Sequence, residues 1–162
     1  MSVPRLSALV VLAALVWAPA AVGQAPAPAP SAPTPLPGEP ATPAVVSELK
    51  QALADATARF ERMDLEGVLA SVSDRYRTGP LTKPVLRQQL LAIFSAYDNV
   101  RARVRIDDVR MIGDRAWVYS TGEVTGRVRL LGTPMSLFSW EREPEVAWRE
   151  GGRWRLIGDQ QS

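Results

Sequence analysis

The stretch "VRARVRIDDVR", Val100 to Arg110, decides how the second half of the chain folds. Arginine occupies every second position from Arg101 to Arg105, with apolar residues between. This period of two is typical of a β-strand with one face in the core. Asp107-Asp108 interrupts the alternation by one residue before Val109 resumes it. An extra residue that restores the apolar face predicts a β-bulge, which bends the strand.

Further strands are predicted downstream of this one. Gly113-Asp114 is a tight-turn sequence, and alternating segments follow over 116–129, 135–149 and 153–160. Glu150-Gly151-Gly152, between the last two, is typical of a hairpin turn. The carboxyl-terminal half is therefore predicted to form an antiparallel sheet.

Upstream of the sheet the apolar period is 3.6, which indicates helices. Asp64 is a predicted N-cap for a second helix over 65–72. A third is predicted to open at 81–84, with Thr82 as N-cap and Pro84 in the first turn. The apolar stripe of the first helix consists of Val46, Leu49, Leu53, Ala56, Phe60 and Met63. The predicted class is α+β, with three N-terminal helices packed on one face of a strongly curved antiparallel β-sheet.

The amino terminus predicts export. Residues 6–18 are apolar except for Ser7, about thirteen residues and short of the ~20 that span a bilayer. With Ala21-Val22-Gly23 after it, residues 1–23 read as a signal peptide cleaved after Gly23, or alternatively after Ala20 or Ala21. The chain has no cysteine, so a lipid anchor at the cleavage site and disulfides are both excluded. We expect a periplasmic or secreted protein with no stable membrane insertion after signal removal.

Residues 24–43 contain eight prolines and are predicted to be a disordered Pro/Ala-rich spacer. Residues 44–162 are then a single domain. Without Arg5 of the leader, 18 basic residues face 17 acidic ones, so no strong positive field favours nucleic acid or anionic lipid as a partner.

Three phrases resemble the nuclear transport factor 2-like superfamily, especially its SnoaL-like branch. They are "ARFERMDLEGVLASVSDRYR" at 58–77, "VRIDDVRMIGDRAWVYSTGEV" at 104–124 and "EVAWREGGRWRLIGDQQS" at 145–162. The resemblance implies a sheet that closes into a cone. It leaves function open, since the superfamily includes ketosteroid isomerase, polyketide cyclases, dehydratases, epoxide hydrolases and members without chemistry.

The chain contains no histidine, so acid–base chemistry would fall to carboxylates and phenols. Asp159 and Tyr76 are the catalytic candidates, and each has an ordinary structural alternative as a strand-end or core residue. No metal site or cofactor is predicted. The candidate ligand-pocket residues are Tyr76, Tyr97, Trp117, Tyr119 and Asp159.

The arginine row, Arg101, Arg103 and Arg105, is predicted to lie on the sheet face opposite the helices. Glu123, Glu141, Glu143 and Glu145 on neighbouring strands are expected to supply opposite charges. The row is interpreted as a solvated face or as the interface of a homodimer, since the resemblance implies that subunits meet there.

Two functions remain open at this level. One is a non-catalytic exported module that binds a small apolar ligand or another envelope protein. The other is a SnoaL-like isomerase, cyclase or dehydratase that acts on an apolar substrate through a carboxylate and a tyrosine. A closed apolar pocket with a buried Asp159 or Tyr76 would favour the enzyme, and a filled interior would favour the module.

Overall fold

A computed structural model describes residues 35–158. The predicted signal peptide, residues 24–34 of the predicted spacer and Asp159 lie outside this range. The elements, in chain order, are β1 (Glu39–Pro40), α1 (Pro43–Glu61), α2 (Leu65–Leu69), β2 (Arg77–Thr78), β3 (Leu81–Thr82), α3 (Lys83–Ala96), β4 (Tyr97–Ile112), β5 (Arg115–Val128), β6 (Pro134–Glu150) and β7 (Arg153–Leu156). The α+β class, with three helices and a mostly antiparallel sheet, is confirmed, whereas the cone shape stays a prediction.

Local sequence sets where the helices begin. Thr42 precedes α1, and its hydroxyl accepts a hydrogen bond from the backbone N–H of Val45. Asp64 caps α2 as predicted, since its carboxylate accepts from the N–H of Gly67 at 2.9 Å. Thr82 occupies the N-cap position of α3, but its side chain makes no capping hydrogen bond there.

The bulge predicted in β4 is confirmed. The pairing of β4 with β5 shifts register between Ile106 and Asp108, so Ile106 and Val109 both face the helices. At the bulge, the side chains of both aspartates contact arginines on the side of the sheet opposite the helices. Asp107 binds Arg105 and Asp108 binds Arg110.

The five-stranded sheet has the order β1-β4-β5-β6-β7, with every neighbouring pair antiparallel. A segment after α2 lies parallel to β7, where the N–H of Leu156 bonds to Ser71 O at 3.0 Å and the N–H of Ser73 bonds to Leu156 O at 2.8 Å. A small hairpin of β2 and β3, which the sequence analysis did not predict, follows this segment.

The predicted spacer enters the fold before its expected end at residue 43. Glu39 and Pro40 pair with Met111 and Arg110, and the N–H of Ala41 bonds to Val109 O at 3.0 Å. Residues 39–43 are therefore an edge strand, a short connection and the first residue of α1.

Two groups of buried apolar side chains hold the helices on the sheet. The first lies beneath α2 and α3 and includes Leu86, Leu90, Val100 and Val124, all at 2% exposure or less. The second lies beneath α1 and consists of Leu49, Val109, Ala116, Val118 and Ala147. We call this side of the sheet the helix-facing side and the opposite side the outer face.

We expect Leu49→Ala to lower the free energy of unfolding by about 2–5 kcal/mol, because Leu49 is 5% exposed and its truncation leaves a cavity beneath α1. Lys50→Ala, at the exposed neighbouring position, should cost under about 0.5 kcal/mol. Urea denaturation of the two variants measures both values. Equal losses would contradict the orientation of α1.

Candidate functional site

The predicted aromatic pocket residues are divided between the two sides of the sheet. Tyr76 is 3% exposed and packs in the first buried group, which Tyr97 borders at the start of β4. Trp117 and Tyr119 flank Val118 in β5, so they point to the outer face. The four aromatic side chains therefore do not line one common pocket.

Tyr76, a catalytic candidate, and Tyr119, a predicted pocket residue, have different surroundings. The phenol oxygen of Tyr76 accepts a hydrogen bond from Thr78 Oγ1 at 3.4 Å. Tyr119 is 7% exposed, and this burial raises the pKa of its phenol above the usual value, with a further contribution from the Asp108 carboxylate. Tyr119 is therefore held in its neutral form.

An apolar cavity of about 40 Å³ lies between α1 and the sheet. Ser71, Trp154 and Arg155 border it, and its lining within residues 35–158 includes no carboxylate and no phenol. The apolar lining consists of Leu49, Ala52, Leu53, Ala56, Ile106, Val118, Ala147 and Leu156. A cavity of this composition excludes polar groups and accepts a small apolar one.

Trp154, at the border of this cavity, is held by charged neighbours. Its indole N–H donates to Glu48 Oε2 at 2.8 Å, and the Arg149 guanidinium lies 4.7 Å from the ring centroid. Arg149 also pairs with Glu48. These contacts join α1 to the last two strands and fix one wall of the cavity.

A polar cluster that the sequence analysis missed is centred on Glu150. Ser73 is fully buried, and its hydroxyl donates to Glu150 Oε1 at 2.6 Å. The Trp148 indole N–H donates to the same oxygen at 3.0 Å, and Arg155 Nη1 is 3.5 Å from Oε2. Because three donors surround the carboxylate, it binds the segment after α2 to the β6–β7 hairpin rather than activating Ser73 as a base would. Glu150 was interpreted only as part of a turn.

Glu145 does not lie where the sequence predicted it. It was expected beside the arginine row, but it pairs in register with Val118 and shares the helix-facing side with Ala147. Glu145 is 0% exposed. Val146 and Ala147 are both buried, so β6 is covered on both sides here, and alternation alone could not show which side holds the carboxylate.

The arginine row lies where it was predicted. Arg101, Arg103 and Arg105 are exposed on the outer face. Arg103 stands directly opposite Glu123, whereas Arg105 pairs with Asp107 at 2.8 Å. The acidic partners thus come from β4 and β5 rather than from Glu143, which pairs in register with Ser120.

Asp107 on this face is held by two side chains, Arg105 and Thr121. Thr121 Oγ1 donates to it at 2.5 Å, and this hydrogen bond, followed by the Arg105 contact, lowers the pKa of Asp107 against the opposing effect of burial. The backbone N–H of Arg142 donates to the same Thr121 hydroxyl at 3.1 Å. Asp107 therefore joins β4, β5 and β6 at the bulge and is ionised at neutral pH.

We expect Thr121→Val to lower the free energy of unfolding at pH 7 by about 1.5–3 kcal/mol, the range for hydrogen bonds to charged groups. A lowered pKa stabilises the fold above the ordinary value of 3.8 and stops doing so as the pH falls through the folded-state value. The difference from the parent should therefore shrink below pH 3.8 in urea titrations. The control Thr125→Val, on the same face, should show no such pH dependence; a parallel dependence would contradict the role of Asp107.

Within residues 35–158, no group of three or more potential acidic, cysteine or histidine ligands could hold a metal ion. In the same range, no helix has the length and apolar character needed to cross a membrane.

The fold is similar to that of several solved proteins. No family model and no curated protein matches the chain. A ketosteroid isomerase-like protein from Erwinia carotovora atroseptica is 18% identical with a TM-score of 0.55, covering 72% of this chain and 93% of that one. A candidate scytalone dehydratase from Novosphingobium aromaticivorans is 11% identical with a TM-score of 0.62, covering 70% and 80%.

A candidate dehydratase of the nuclear transport factor 2-like family from Streptomyces avermitilis is 14% identical with a TM-score of 0.55, covering 69% of this chain and 91% of that one. The chain therefore has the nuclear transport factor 2-like fold, as the resemblance in sequence implied. At these identities the likeness concerns the fold alone.

Proposed function

We propose that this chain is an exported, non-catalytic module of the SnoaL-like type that binds a small apolar ligand or another envelope protein. The observation that carries this proposal is the cavity beneath α1, which is apolar and holds about 40 Å³. Pockets that enclose a drug-sized ligand measure roughly 300–1,000 Å³. The cavity matches only a small apolar group, such as the end of an alkyl chain or one side chain of a partner.

The distribution of titratable groups also supports a role without chemistry. Proton transfer needs an acid or base within hydrogen-bond reach of the substrate. The chain contains no histidine, and the described lining of the cavity supplies no carboxylate and no phenol. An apolar group held there would meet mainly aliphatic side chains, with Ser71, Trp154 and Arg155 at the border of the cavity.

Export is part of the same proposal. It is supported by the apolar run at 6–18 with small residues after it, and by the proline-rich segment before the domain. Amino-terminal sequencing of protein recovered from the periplasm or medium should give a start near Gln24. An intact Met1 in that fraction would contradict cleavage.

We expect Ala52→Leu to fill the cavity, because Ala52 lines it from α1. Xenon, a small apolar probe that enters such cavities, should shift the methyl resonances of Leu53 and Val118 in the parent and lose this effect in the variant. Ala54→Leu, two positions along and exposed, is the matched control and should retain it. Failure of xenon to shift these methyl resonances in the parent would overturn the proposed apolar site.

The alternative is a SnoaL-like isomerase, cyclase or dehydratase, and the fully buried Glu145 favours it, since buried carboxylates serve as acids and bases in enzymes. Such an enzyme should exchange the α-protons of an apolar ketone for deuterium in D₂O, and Glu145→Gln should abolish the exchange at unchanged stability. An absence of exchange across a panel of cyclic ketones would favour the non-catalytic module.

We also propose that the outer face joins two copies of the chain. The proposed dimer is supported by three exposed arginines in a row, with Glu123 opposite Arg103 and Glu141 exposed on β6. Mixed charges of this kind allow pairing between two related faces.

Reversal of Arg101, Arg103 and Arg105 to glutamate should halve the mass in solution while leaving the apolar side intact. Light scattering coupled to size exclusion, at low salt, measures this mass. The matched control reverses Arg62, Arg77 and Arg153, which are exposed away from β4, and should keep the parental mass. A parent that is monomeric at high concentration would exclude the dimer.

A further inference from the structure

The turn between β5 and β6 carries the two most exposed large apolar side chains of residues 35–158. Leu130 is 96% exposed and Leu131 is 77% exposed, while Met135 at the start of β6 is 45% exposed. We call these three residues the leucine tip. Scattered exposed leucines are ordinary, but two adjacent ones at a projecting turn are a concentrated apolar surface.

Backbone hydrogen bonds close the turn that carries the leucine tip. The N–H of Val128 bonds to Thr133 O at 3.0 Å, and the N–H of Gly132 bonds to Val128 O at 2.7 Å. Arg129 ties the turn to the end of α3, since its backbone N–H bonds to Ala96 O at 3.1 Å. These hydrogen bonds order the backbone that carries the leucines, so binding requires little further ordering of the turn.

The charge around the tip is positive. Residues 125–140 contain two arginines and no acidic residue. Arg127 is neutralised by Asp98 at 2.6 Å. The guanidinium of Arg129 instead donates to the carbonyl of Phe94 at 3.0 Å and approaches the sulfur of Met63, and both of these acceptors are uncharged. Asp98 is close enough to Arg129 for their charges to interact, so Arg127, Arg129 and Asp98 together leave one net positive charge near the base of the tip.

From this combination we infer that the leucine tip inserts into the interfacial layer of an anionic lipid bilayer, with Arg129 at the level of the phosphates. Apolar side chains this exposed fit a fluid bilayer, which needs no preformed pocket. Transfer of leucine side chains from water into the acyl region lowers the free energy, and the negative surface potential attracts an adjacent arginine. The surface is peripheral, so it adds to the cavity beneath α1 and does not depend on it.

The test is flotation of the mature chain, residues 24–162, with vesicles. Vesicles of phosphatidylglycerol and phosphatidylcholine in about a 3:7 ratio are expected to carry the parent, and Leu130→Ser with Leu131→Ser should lower the partition coefficient at least tenfold. Arg129→Gln should lower it about fivefold on these vesicles and leave the weaker binding to pure phosphatidylcholine unchanged.

The matched control is Val85→Ser with Leu91→Ser, which removes two apolar side chains of α3 that are 42% and 41% exposed. It should keep the parental partition coefficient within about twofold. A parent that stays in solution with both kinds of vesicle would overturn the inference. A second pattern would also overturn it: the parent does not bind vesicles, and the leucine variant has a lower mass than the parent in light scattering. The tip would then bind a second copy of the chain rather than a bilayer.

Discussion

The extra residue at Asp107-Asp108 is the constraint on which the rest of the structure depends. β4 is sixteen residues long, and uninterrupted alternation would move its second half to the other side of the sheet. The register shift keeps Ile106 and Val109 beneath α1. It also places two carboxylates on the outer face, where Thr121, Arg105 and Arg110 bind them. The bulge thus keeps the apolar residues of β4 on the helix-facing side and holds the two aspartates in contacts on the outer face.

Close packing of α1 explains where small and large residues lie on β5. Ala116 at 0% exposure and Ala147 at 2% lie side by side beneath the helix, because only short side chains fit there. The larger Trp117 occupies the outer face. The space that remains beneath α1 is consequently small and aliphatic, which is why the proposed ligand is a short apolar group.

Much of this fold follows from local sequence, and the limits have physical causes. Periodicity predicts the helices and long strands, Asp64 predicts a cap and the paired aspartates predict the bulge, because each rests on neighbouring residues. The position of the aromatic residues does not follow from local sequence. The large side chains of Trp117 and Tyr119 suggest that their face of β5 lies in the core. In the structure α1 packs against the other face, which carries Ala116 and Val118. Glu145 is misplaced for a related reason: both sides of β6 are buried there, so polarity does not identify the outer one.

The edges of the sheet restrict how the chain can meet a partner. An open strand edge pairs readily with another chain, but here β1 covers part of β4, and Pro40 in β1 offers no backbone donor to a newcomer. At the other edge the segment 71–77 lies along β7 and takes up its backbone groups, as the bond from the N–H of Arg77 to Ile157 O shows. Strand addition is therefore disfavoured where these segments pair, at Arg110 and Met111 of β4 and at Leu156 of β7. Two side-chain surfaces are also open to partners: the arginine row, which is charged, and the leucine tip, which is apolar.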